Sequence, residues 1–130
     1  MLLKVNYSKY LECAIKNNFS DGKCFFVGFK MFGFLSYGGS HLITTKDNVL
    51  YITPIKMKTL LNFEKCIKIN FADIENIVCK GDGFFSVIKL VITLKNGKKL
   101  KYSSKHDEDK VDGKKICAQV EEFKKLNNNQ

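Results

Sequence analysis

Residues 87–104, VIKLVITLKNGKKLKYSS, constrain the chain most, because only one pairing of their two halves gives an apolar face. Asn96-Gly97 between apolar-rich runs is the strongest short hairpin signal. A two-residue turn there would oppose Lys95 to Lys98, Leu94 to Lys99 and Ile92 to Lys101. Directly opposed strand residues share a face, so that register mixes lysines into the apolar side. A three-residue turn, Lys95-Asn96-Gly97 with Gly97 left-handed in a bulge, opposes Leu94 to Lys98, Ile92 to Leu100 and Leu90 to Tyr102. One shifted residue moves a strand's whole side-chain set to the other face. The bulged turn is therefore the expectation. It gathers Lys89, Lys99 and Lys101 on the opposite face with Val91, Thr93 and Ser103, and leaves Lys98 at the rim of the apolar one.

The rest of the chain reads as short strands between two helices. Residues 7–18 suit a helix with Tyr7, Leu11, Ala14 and Ile15 on one side and Ser8 as a cap. After the turn signal Ser20-Asp21-Gly22, strands are expected at 24–32, 40–45 and 49–53, the last two flanking a turn at Lys46-Asp47-Asn48. Pro54 ends regular pairing or places it at an edge. Residues 55–63 fit a loop, a short strand or a helical turn. Residues 66–71 alternate, with Cys66, Ile67, Ile69 and Phe71 apolar, and 74–80 follow as a strand before the turn Gly81-Asp82-Gly83. A last helix begins near Asp109 or Asp112. Ile116, Val120 and Phe123 line one of its faces, with Cys117 and Leu126 beside them. About seven antiparallel strands followed by one amphipathic helix call for a mainly β fold, with the helix closing a bent sheet or partial barrel.

Charge narrows the partners. The net charge is +9, and the 22 basic residues are all lysine, spread along the chain without a basic arm. Such a surface favours anionic partners. The absence of arginine speaks against nucleic acid, whose phosphates and bases favour the guanidinium fork. Five cysteines at 13, 24, 66, 79 and 117 have wide spacings, no Cys-x-x-Cys and only two histidines to join them. They read as small core side chains in a reducing compartment, with no metal site and no cofactor. No apolar run suffices for a signal peptide or a membrane span, so a cytoplasmic protein is expected, with access to the inner face of the membrane.

Three segments, HLITTKDNVLYI (41–52), INFADIENIV (69–78) and VITLKNGKKLKYSS (91–104), followed by the closing helix, resemble the strand pairs of the bacterial pleckstrin-homology-like family, related in fold to PH and GRAM domains. The resemblance covers roughly 23–126 and implies two bent antiparallel sheets with the helix plugging one corner. Residues 1–22 then form a helical extension and 23–130 the domain. It also implies a non-enzymatic binding or assembly module, with a protein partner or a second copy. Lipid-binding members use a basic loop between their first two strands. The matching residues 30–39 hold one lysine, which does not point to phosphoinositides.

Two surfaces stand out as candidate binding sites: the lysine face of Lys89, Lys99 and Lys101, and an aromatic loop with Phe32, Phe34 and Tyr37. Together they offer a second reading, peripheral attachment to anionic lipid. Polar-out alternation is also the ordinary form of an antiparallel strand, so the lysines read first as a plain solvated face and second as a binding surface. Catalytic starting points are sparse. His41 beside Ser40 and His106 beside Asp107 fall in no motif, which leaves a small hydrolase as a third reading and no catalytic residue assigned. Gly81–Ser86 half-matches a phosphate loop but precedes a strand, where phosphate binding needs a helix.

Overall fold

A computed structural model describes residues 7–32, 35–56, 60–82, 87–105 and 112–128. In chain order they form α1 (Tyr7–Lys16), β1 (Phe25–Phe32), β2 (Leu35–Lys46), β3 (Val49–Lys56), β4 (Leu60–Leu61), β5 (Ile67–Asn70), β6 (Ile74–Asp82), β7 (Val87–Leu94), β8 (Lys99–Lys105) and α2 (Asp112–Asn128). The fold is mainly β and antiparallel, with a helix at each side. The strand order is β4-β3-β2-β1-β8-β7-β6, and β5 pairs on β3. Where two bent sheets are expected, one hydrogen-bonded path runs through both halves. The seam is β1–β8, with Phe29 opposite Ser103 and Lys30 opposite Tyr102.

The hairpin at 87–104 has the bulged register. Leu90 opposes Tyr102, Ile92 opposes Leu100 and Thr93 opposes Lys99. Leu94 N–H donates to Lys98 O at 2.8 Å, Gly97 N–H to Leu94 O at 2.9 Å, and Gly97 has φ +90°. The tight two-residue turn lies elsewhere. Lys46 opposes Val49, and Asp47 (φ 52°) and Asn48 (φ 62°) are both left-handed, as a type I′ turn requires. The expected three-residue turn at 46–48 is thus one residue shorter, because Lys46 still pairs. Pro54 does not end β3. It opposes His41 where the outer edge of β3 changes partner from β5 to β4, and its carbonyl accepts from Asn62 N–H at 2.8 Å.

The main core lies between the inner faces of the two halves. Phe26, Ile43, Ile52, Leu90, Ile92 and Tyr102 are fully buried there. Helix α2 closes it with Ile116 and Val120, while Phe123 meets Phe71 edge to face at 5.8 Å. Burial of each such aliphatic side chain contributes about 1.5–3 kcal/mol. Leu126, expected beside this stripe, is 66% exposed.

Helix α1 covers the other side of the sheet. Adjacent strand residues point to opposite faces, yet Leu42 and Ile43 are both fully buried. Ile43 faces the main core, and Leu42 packs with Tyr10 and Ala14 of α1. The buried stripe is therefore Tyr10–Ala14, one turn apart, and the expected stripe is corrected: Ile15 is 43% exposed. Ser8 lies inside the first turn rather than at a cap. The helix ends in a Schellman arrangement, with Asn18 at φ 65°, Asn18 N–H on Ile15 O and Phe19 N–H on Ala14 O. This reversal stacks Phe19 on Tyr51 at 5.3 Å, and Lys68 Nζ stands 5.3 Å from the Phe19 ring centre.

Candidate functional site

Register builds the lysine face row by row. Lys80 opposes Lys89, which opposes Ser103, which opposes Phe29. In the next row Val78 opposes Val91, which opposes Lys101. In the third, Asn76 opposes Thr93, which opposes Lys99. Neighbouring strands lie about 4.8 Å apart, and same-face residues along a strand about 6.8 Å apart. Lys80, Lys89, Lys99 and Lys101 are all exposed, around the half-buried Val78 and Val91. Phe29, 41% exposed, borders them. No described carboxylate pairs with the four ammonium groups, and exposed Glu75 lies at the bulge beside Asn76, at one end of the face. The row beyond is Asp82, Val87 and Lys105.

The three lysines expected together thus share one face. Lys80 joins them and was not singled out from the sequence. Its signal was the alternation Asn76, Val78, Lys80 against buried Ile77, which becomes readable only once β6 is set in register with β7. Lys98 falls on the opposite side, as its place beside Leu94 requires.

The aromatic loop is not a loop along most of its length. β1 continues to Phe32 and β2 starts at Leu35, with Phe32 opposite Leu35, so Phe32 and Tyr37 belong to strands. Phe34 lies outside the described residues. The apolar run carries strand pairing further than its glycines suggest.

The catalytic starting points gain no geometry. Ser40 and His41 are consecutive strand residues and diverge to opposite faces. The His41 ring meets the Tyr102 ring edge-on at 5.5 Å. His106 and Asp107 lie outside the described residues, as do 83–86 of the phosphate-loop match, whose flanks Asp82 and Val87 pair as strands. All five cysteines are free. Burial pushes the thiols of Cys66 and Cys79 up, and burial with Cys79 and Glu121 nearby pushes that of Cys117 up to about 12. These are settings for inert thiols rather than nucleophiles. Among the described residues no group of His, Cys, Asp or Glu is arranged to hold a metal. No family model, curated protein or solved structure matches this chain.

Proposed function

We propose that this chain is a non-enzymatic, PH-like interaction module of the cytoplasm that docks an acidic surface of a protein partner on Lys80, Lys89, Lys99 and Lys101. The observation that carries the reading is the direct opposition of Lys80 and Lys89 on an exposed face shared with Lys99 and Lys101, where no described carboxylate pairs with them. Like charges in that position destabilise a sheet, and an anionic partner relieves them. A second copy of a chain with charge +9 would be repelled here, so self-association would need another surface.

The antiparallel strands and the closing helix fit what the sequence resemblance implies, and that supports a module of this kind. No described helix is long and apolar enough to cross a membrane. Attachment to anionic lipid through the same face is the second reading, favoured by exposed Phe29 at its border. Each lysine near an anionic bilayer is worth about 1 kcal/mol, so four give about 4 kcal/mol, equivalent to millimolar affinity. A protein adds hydrogen bonds and apolar burial to that term, which places it first.

The test titrates isotope-labelled chain with hexaglutamate and, separately, with phosphatidylserine vesicles across a salt series. The expected result is salt-sensitive shifts of β6–β8 amides by the peptide, lost when all four lysines become glutamate. Binding to vesicles alone transfers the face to lipid, and binding to neither removes it as a site.

A further inference from the structure

Between β5 and the β7–β8 turn lies a cleft of about 470 Å³, within the size range of ligand sites. One wall is β5 itself, through Ile67, Lys68 and Ile69; the other is Leu94, Lys95, Lys98 and Leu100. β5 pairs with β3 from Asn70 opposite Val49 to Ile67 opposite Ile52, and no other described strand pairs with it. A strand edge with open N–H and C=O groups is a template for another strand.

The far wall is fixed in place. Lys95 N–H donates to Asp73 O at 3.0 Å and Lys98 N–H to Asn96 Oδ1 at 2.8 Å, in addition to the two bonds that close the turn. The slot is therefore formed before anything enters it. Its chemistry is ordered by face. Ile67, 43% exposed, and the buried Ile69 share one side of β5, and the opposite wall adds the buried Leu100. Lys68 lies on the other side of β5, beside Tyr51 and Phe19. Exposed Lys95 and Lys98 stand at the mouth, and Asp73 is the acidic residue of the lining.

We propose that this slot takes an extended segment of a partner protein, added as a strand to the open edge of β5, with apolar and acidic residues alternating. Apolar side chains of such a strand lie beside Ile67 and Ile69 and against Leu100. Acidic ones lie on the opposite face, beside Lys68, and at the ends reach Lys95 and Lys98. Main-chain hydrogen bonds supply affinity in this mode, and alternate side chains supply selectivity. The inference rests on the reading of the chain as a protein-binding module, but it uses a surface separate from the lysine face.

The probe is an end-blocked eight-residue peptide alternating valine and glutamate, titrated into isotope-labelled full chain. Expected are amide shifts at Ile67–Asn70 and Leu94–Leu100, and at least tenfold slower hydrogen exchange on the outer edge of β5. Ile67→Glu, at an exposed position, should weaken binding tenfold or more, with Ile67→Ser as a second variant that brings no new charge. A peptide N-methylated at alternate residues should lose binding in at least one of its two phases. The lysine-face glutamate variant should still bind in the slot. No binding at millimolar peptide overturns the proposal, as does binding indifferent to both Ile67 variants and to N-methylation. Shifts confined to the outer face of β6–β8 overturn it too, while leaving the lysine-face reading intact.

Discussion

Two glycines of this chain do opposite jobs. At Gly97 the demand is purely conformational, since φ is +90° and an added Cβ would meet nothing within 4 Å. At Gly28 the demand is space. A Cβ there would come 2.7 Å from the Phe26 ring and 3.1 Å from the backbone oxygen of Ser103 across the β1–β8 seam. A ring can turn, but a carbonyl held in a sheet cannot easily move. Gly97→Ala should therefore cost about 1 kcal/mol and Gly28→Ala about 1–3 kcal/mol. Urea unfolding of both variants checks the order, and a reversal would contradict the seam geometry. Gly97 was legible from the sequence because its role follows from pairing within eighteen consecutive residues. Gly28 was not, because its constraint comes from a strand far along the chain. Tyr102 belongs to the same class. Its hydroxyl is buried, and no hydrogen-bond partner for it is found among the described residues. Tyr102→Phe should leave stability unchanged or raise it by up to about 1–2 kcal/mol, read from the same unfolding curves.

At the scale of elements, hairpins were readable and their contacts with one another were not. Alternation gave the β7–β8 register and the inward stripe Ile116–Val120 of α2. It missed the face of α1, since helical periodicity offers several stripes and only the position of Leu42 selects Tyr10 and Ala14. It missed Lys80 for the same reason: the side of a strand is local information, but its opposite number is not. The β6–β7 pairing now makes a quantitative claim. Lys80→Gln should stabilise the fold by about 0.2–1 kcal/mol at low salt. The gain should shrink in 1 M salt, where the screening length falls to about 3 Å, below the strand spacing. A double-mutant cycle with Lys89→Gln should recover most of that gain as coupling energy, and zero coupling would mean that the two side chains splay apart.

For the molecule as a whole, alkaline pH probes the packing of α2 and the seam together. Burial raises the Tyr102 hydroxyl from 10.0 to about 12 and, with Cys79 and Glu121 adding, the Cys117 thiol from 9.0 to about 12. Both groups hold their protons longer when folded. Their contribution is whole below the unfolded values and is lost as pH rises from about 9 through 12, because the unfolded chain ionises first. Unfolding free energy should thus fall across that window, and the fall should be shallower in Cys117→Ala and in Tyr102→Phe. An unchanged slope in both would place these groups in contact with water. The β1–β8 seam has a further consequence, for synthesis. β1, β2 and β3 pair with their sequence neighbours and can zip as they leave the ribosome, whereas β1 must wait for Ser103 before its second edge is filled. Contacts between such distant residues make folding slow. For most of its translation the nascent chain therefore carries an open, aromatic-rich strand, so a pause late in the message should decide between a finished sheet and pairing with a neighbouring chain.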